Sequence, residues 1–137
     1  MSRTPANASL VVVRGSTWED EFTYLQPDGI TPVDLTGYEA RMHVRSYADR
    51  FGISGAETLV MELTTNGADG RLTWATAAGG RLLLKVDAAD TVLLNPANAK
   101  RKKLWYGIEV FIPAGVNPEY VVPLAEGAIS VRAEVVR

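Results

Sequence analysis

The chain has 137 residues, the length of one ordinary domain, and a domain of this size can bury roughly two-thirds of its surface without a metal or a disulfide. It contains no cysteine and a single histidine, which excludes disulfides, thiolate catalysis and cysteine-ligated metal centres. Its 14 Lys and Arg residues against 16 Asp and Glu residues give a net charge of −2, too balanced to indicate a nucleic-acid surface. We therefore expect a single domain over residues 1–137, with no enzymatic activity, no cofactor and no metal.

The N-terminus is short and polar up to Ser9, and the apolar segment Leu10–Val13 ends at Arg14. A secretory signal needs about 7 to 15 consecutive apolar residues and a membrane helix about 20. We therefore expect a soluble chain made in the cytosol, with no membrane contact. Residues 1–8 are predicted to form an N-terminal arm that is flexible or bound by a partner.

Alternation of apolar and polar residues dominates the rest of the chain, and a period of two is typical of half-buried strands. Tyr38–Arg45 is the clearest case, because every second residue is apolar and the residues between are charged. The remaining predicted strands begin near Leu10, Trp18, Leu59, Leu72, Leu82, Leu104, Tyr120 and Ile129.

Turn signals separate these runs. Asp28-Gly29, Asn66-Gly67, Asp69-Gly70 and Gly79-Gly80 supply the left-handed backbone conformations that tight turns need. One helical candidate, Asp87–Leu94, has Asp87 in position to cap its first turn. The pattern predicts an all-β fold, an antiparallel β-sandwich, Ig-like or jelly-roll-like, of about eight or nine short strands with one short helix.

Two loops are candidates for contacts with a partner. Tyr47–Glu57 is long enough to be functional, and Phe51 and Ile53 offer apolar contacts, although Phe51 could equally fold back onto its own domain. Asn95–Lys103 is the second predicted loop and ends in the strongest local charge feature of the chain, formed by Lys100, Arg101, Lys102 and Lys103.

The basic run precedes Trp105 and Tyr106, which raises the question of nucleic-acid binding. Tyr106 is in phase with apolar neighbours and is predicted to be buried, and no second basic cluster extends the run. The run is therefore interpreted as a solubilising turn or as a docking rim for an acidic protein neighbour, rather than as a nucleic-acid site. Trp105 is out of phase and is predicted to be exposed, whereas Trp18 and Trp74 are predicted to be buried.

The other chemical candidates are weak. Gly52–Ala56 resembles a hydrolase nucleophile elbow but has Ala56 in place of its second glycine. Glu19, Asp20 and Glu21 alternate in direction along a strand and so do not converge on a metal. His43 lies between Arg41 and Arg45 and is predicted to be an exposed side chain without a metal.

Three segments together resemble a recurrent pattern in small structural proteins of tailed bacteriophages. They are Arg14-Gly15-Ser16-Thr17-Trp18, the stretch from Asp28 to Arg45 that contains Asp34-Leu35-Thr36-Gly37, and Glu126–Val131. The pattern is similar to the N-terminal β-sandwich domain of the upper baseplate protein of siphophages. The resemblance implies a virion component, assembled in the host cytoplasm, whose partners are other virion proteins in a symmetric homo-oligomer or array.

Three functions are therefore carried forward. The first is a structural protein of the tail, baseplate or neck that anchors or bridges its neighbours. The second is a decoration (cement) protein of the capsid, and the third is a carbohydrate-binding module that uses Trp105. The candidate contact residues are Phe51, Ile53, Lys100, Arg101, Lys102, Lys103 and Trp105.

Overall fold

A computed structural model describes residues 6–46, 59–65, 70–112 and 121–134. Within these ranges the chain forms two β-sheets packed face to face, with one short helical segment. The all-β sandwich prediction is confirmed. The strands are β1 (Ala6–Asn7), β2 (Leu10–Val13), β3 (Trp18–Thr23), β4 (Glu39–Ser46), β5 (Leu59–Thr64), β6 (Leu72–Thr76), β7 (Arg81–Val86), β8 (Arg101–Phe111) and β9 (Val121–Arg132). The helix α1 (Ala88–Thr91) continues into a 3-10 turn (Val92–Leu94).

The larger sheet has the strand order β2, β9, β8, β4, β5, with β1 preceding β2 along the same side of β9. The smaller sheet has the order β3, β7, β6. All pairs are antiparallel except those of β1 and β2 with β9, which are parallel. Among the described strands, this parallel edge is the one departure from a purely antiparallel sandwich.

The core lies between the two sheets and follows the predicted alternation. In β4, Ala40, Met42 and Val44 are fully buried, and the residues between them face outward. The same holds along β8 for its even-numbered residues from 104 to 110. Phe22 of the smaller sheet meets Tyr106 of the larger one with ring centroids 6.3 Å apart, so aromatic side chains join the two layers.

The N-terminal arm is held by its own chain wherever it is described. Ala6 pairs with Ala125, and the Ala8 amide donates to the Glu126 carbonyl at 3.0 Å. The Ala8 carbonyl accepts a hydrogen bond from the Tyr106 hydroxyl at 2.7 Å. A Cβ atom on Gly127 would lie 2.1 Å from that carbonyl oxygen, so only glycine allows this approach. Residues 6–8 are therefore docked rather than extended away from the domain, and residues 1–5 lie outside the described ranges.

A turn at residues 14–17 carries the chain from the larger sheet to the smaller one and is locked onto the helical segment. The Arg14 Nε donates to the Asn95 carbonyl at 2.8 Å, and the Gly15 amide donates to the Thr91 hydroxyl at 3.0 Å. The helix predicted over Asp87–Leu94 is confirmed as α1 and its 3-10 continuation. Asp87 occupies the N-cap position, but its side chain makes no capping hydrogen bond.

Candidate partner-binding surface

The basic run lies in a strand, not in a loop. β8 begins at Arg101, three residues before the predicted start, so the predicted loop Asn95–Lys103 is shortened to the turn before Arg101. Because side chains alternate along a strand, Arg101 and Lys103 share the outer face with Trp105, while Lys102 points to the opposite side. Lys100 precedes the strand and, with Arg101, forms the described lining of an open depression of about 490 Å³.

Trp105 lies near the middle of the outer face of the larger sheet. It is half-buried and stands in register between Arg45 of β4 and Ala128 of β9. Two residues further along β8 is Gly107, which has no side chain to cover it. The indole thus has a small neighbour on β9, Ala128, and another along its own strand, Gly107.

Apolar and basic side chains lie together on the outer face of the larger sheet, near the edge formed by β2. Val11 and Val13 of β2 are 56% and 40% exposed on this face. Val13 pairs with Arg132, and Arg132 pairs in turn with Arg101. We call this group the outer-face patch; its members are Val11, Val13, Arg101, Lys103, Trp105 and Arg132.

The pairing of Arg101 with Arg132 is electrostatically unfavourable. Like charges directly opposite each other on neighbouring strands destabilise a sheet. Both side chains are exposed, and no acidic side chain of the described residues forms an ion pair with either. The patch therefore has a local excess of positive charge that an anionic surface would neutralise.

The other half of the outer face is neutralised within the chain. Arg41 pairs with Glu109 and stacks over Phe111, 4.6 Å from its ring centre. His43 was predicted to be exposed, but it is half-buried, with its Nε2 2.6 Å from a Glu62 carboxylate oxygen. The Arg45 guanidinium approaches His43 Nδ1 at 3.3 Å, and since arginine can only donate, Nε2 carries the proton shared with Glu62.

The acidic run in β3 alternates as predicted. Glu19 and Glu21 are exposed on the outer face of the smaller sheet, and Asp20 accepts a hydrogen bond from Trp18 Nε1 at 2.7 Å. The hydrogen bond from Arg81 holds the pKa of Glu21 below its usual value. Across the described parts of the chain, no three Asp, Glu or His side chains come together in a way that would hold a metal ion.

The structure brings together three of the seven predicted contact residues, Arg101, Lys103 and Trp105. Lys100 lies beside them and Lys102 does not, while Phe51 and Ile53 fall outside the described residues, as does the Gly52–Ala56 motif. Sequence reasoning missed Val11, Val13 and Arg132, because their place in the patch depends on how β2 and β9 pair. The only local signal was the uninterrupted apolar run Leu10–Val13.

No family model matches this chain, and no curated protein matches it significantly. Among solved structures, it is similar to a chain of the structure described as "Structural basis of T cell specificity and activation by the bacterial superantigen toxic shock syndrome toxin-1". The two are 12% identical, with a TM-score of 0.42, and the match covers 90% of this chain and 92% of that chain. A likeness this distant carries no information on function. None of the helices in the described ranges has the length and apolar character to cross a membrane.

Proposed function

We propose that the protein is a non-enzymatic structural component of a tailed-phage virion, located in the tail, baseplate or neck. In this role it binds a neighbouring virion protein through the outer-face patch. The partner surface is acidic, with an apolar spot for Trp105 and the two exposed valines.

The observation that carries the proposed contact is the Arg101–Arg132 pair. Two arginines held opposite each other cost the isolated fold some stability, and this cost is offset when a partner supplies carboxylates. Trp and Arg are also the side chains most enriched among residues that dominate binding at protein interfaces. Pairing of β8 with β4 and β9 holds them in fixed positions.

The phage assignment rests on the resemblance in sequence, and the structure gives the residues that carry it a role in the fold. Asp34 Oδ1 accepts hydrogen bonds from the Thr36 amide at 2.9 Å and the Thr36 hydroxyl at 2.6 Å. Gly37 adopts a positive φ of 87° in the same turn. Arg14 anchors the turn between the sheets. Two of the three segments that carry the resemblance thus specify turns of the sandwich, and the third, Glu126–Val131, lies within β9.

Pelleting with purified tails and, separately, purified heads of the encoding phage tests the proposal. We expect the protein to sediment with tails, and Arg101→Glu to weaken this by reversing the charge of the patch. Thr73→Glu is the control, because Thr73 is exposed on the smaller sheet and stands opposite the apolar Leu83.

Each other outcome contradicts the proposal in a distinct way. Sedimentation with heads would favour the capsid decoration role instead. Binding to a glycan array that is lost in Trp105→Ala, without sedimentation by either particle, would favour the carbohydrate-binding role.

A further inference from the structure

One sheet edge differs from the others in lacking protection against pairing with a second chain. Edge strands usually carry charges or bulges that prevent such pairing. Of the described edges, β3 carries Glu19, Asp20 and Glu21, β5 contains Glu62 beside a bulge in its ladder with β4, and β6 has a bulge between Trp74 and Thr76. β2 has neither, since it consists of Leu10–Val13 alone.

The unpaired peptide groups of β2 can be identified from its ladder. The Arg14 amide donates to the Arg132 carbonyl at 3.0 Å, and peptide groups alternate in direction along a strand. Leu10 and Val12 therefore bond to β9, while the amides of Val11 and Val13 and the Val11 carbonyl point to the open edge. No described residue pairs with that edge.

β3 is the edge of the smaller sheet on the same side of the sandwich, and its outward peptide groups are also unpaired among the described residues, although its side chains are acidic. The Tyr24 amide donates to the Gly80 carbonyl at 2.8 Å, which places the even-numbered residues of β3 in bonds with β7. The peptide groups of Glu19 and Glu21 therefore point outward. The Ser16 amide donates a hydrogen bond to the Val13 carbonyl at 3.0 Å, which closes a β-turn between β2 and β3. The turn reverses the chain, so the two strands run in opposite directions.

We propose that two copies of this chain associate through these edges, with β2 of each copy pairing with β3 of the other. A two-fold axis parallel to the strands, lying between the two copies, brings each β2 against a β3 in antiparallel orientation, on both sheets at once. The contact needs only the chain itself, so it stands independently of the virion role. It corresponds to addition of a strand to an exposed sheet edge.

Charge favours this arrangement over the other symmetric one. An axis perpendicular to the sheets would pair β2 with β2 and β3 with β3, which sets Glu19 of one copy against Glu21 of the other. The ion pair of Glu21 with Arg81 offsets only part of this repulsion. In the proposed arrangement, the Glu19 and Glu21 side chains of one copy lie on the same outer face as Val11 and Val13 of the other. Arg132 lies on β9, next to β2, and is close enough to these glutamates for their attraction to act before salt screens it.

Sedimentation equilibrium over a range of protein concentrations tests the proposal. We expect a dimer that weakens as salt is added, because the attraction between Glu19 and Arg132 is screened. Val11→Pro removes an outward amide without touching the ladder to β9, and should raise the dimer dissociation constant by about tenfold or more. Val11→Glu is a second variant at the same edge. Its control is Leu93→Glu, because Leu93 is equally exposed, at 57%, and lies outside both edges. Proline is not used at Leu93, since it would disturb a helical turn.

Charge reversal at Glu19 separates the two symmetric arrangements. Glu19→Arg should weaken the proposed dimer, and adding Arg132→Glu in the same chain should restore it. If Glu19→Arg instead strengthened association, the pairing of like strands would be correct. A monomer at all concentrations, or a dimer that Val11→Pro and Val11→Glu leave unchanged, would overturn the proposal.

Discussion

Tyr106 and Gly127 are the residues that fix the N-terminal arm to the domain. Tyr106 is fully buried between the sheets, yet its hydroxyl reaches the Ala8 carbonyl at 2.7 Å. Gly127 leaves the space through which that carbonyl approaches. Neither role follows from sequence alone, because it depends on a contact between the start of the chain and its last strands.

Gly127→Ala should therefore destabilise the fold by about 1 to 3 kcal/mol, since its Cβ would overlap the Ala8 carbonyl. Gly107→Ala is the control, because nothing lies within 4 Å of the added Cβ there. Urea unfolding gives both values, and hydrogen exchange should show the Ala8 amide losing protection in Gly127→Ala only. Equal effects of the two substitutions would contradict the close approach.

Tyr106 also predicts a change of stability at alkaline pH. Burial raises the pKa of Tyr106 to about 12, above the value near 10 expected in the unfolded chain. The unfolded state therefore loses its proton first as pH rises, and the stabilisation, present in full below pH 10, is lost between about pH 10 and 12.

Tyr106→Phe has no phenolic proton to lose. Between about pH 10 and 12, its free energy of unfolding should therefore fall less than that of the natural chain. The difference between the two should reach roughly 2 kcal/mol at pH 11.5. Urea unfolding from pH 8 to pH 11.5 measures it. Parallel curves for the two proteins would show that Tyr106 titrates normally.

Arg101 has opposite effects on folding and on the proposed contact. Replacing it by glutamate turns a like-charge pair with Arg132 into an attractive one, so Arg101→Glu should stabilise the isolated domain by about 0.2 to 1 kcal/mol. The same change should weaken sedimentation with tails. Thermal unfolding of Arg101→Glu, with Thr73→Glu as the control, checks the first effect, and a loss of stability in Arg101→Glu would contradict the account of this pair.

At the scale of elements, alternation predicted most of the strands, and pairing could not be predicted. The separate strands predicted to begin near Tyr120 and Ile129 form one strand, β9, and the short strand β1 was missed. The buried residues of β4 and β8 follow from their spacing alone, as does the shared face of Arg101, Lys103 and Trp105. The start of β8 was missed because a run of four basic residues is typical of a loop. In this chain the run is accommodated at a strand end, where alternate cations reach solvent.

The parallel edge and the outer-face patch required long-range information. Arg132 joins Arg101 only through the β8–β9 register, and Val13 joins Arg132 only through the parallel pairing of β2. The helical segment was predictable from Asp87–Leu94, whereas its function as a lock on the turn between the sheets was not. The lock depends on Thr91, which is fully buried.

Thr91→Val should destabilise the fold by about 1 to 3 kcal/mol without creating a cavity. The substitution keeps the side-chain volume but leaves the Gly15 amide without its acceptor, and removes the donor facing the Ser16 carbonyl at 3.0 Å. Thr73→Val, at an exposed position of β6, is the control and should change stability by less than about 0.5 kcal/mol. Chemical denaturation distinguishes them, and a neutral Thr91→Val would show that the lock does not contribute.

At the scale of the whole molecule, the two surfaces proposed for contacts adjoin each other. The edge of β2 and the outer-face patch share Val11 and Val13, so a dimer formed through the edges would extend the patch across two copies. A repeated, charged and rigid face of this kind suits assembly by symmetry. The other half of the outer face, around Arg41 and His43, is neutralised by ion pairs within the chain and takes no part in the proposed contacts.

The most direct test of the virion role is to look for the protein in particles. Immunogold labelling of purified particles of the encoding phage, with an antibody against this chain, should mark the tail, baseplate or neck at regular positions. Labelling confined to the capsid would place the protein in the head instead. Particles free of label, from a lysate in which the same antibody detects the protein, would contradict a structural role in the virion.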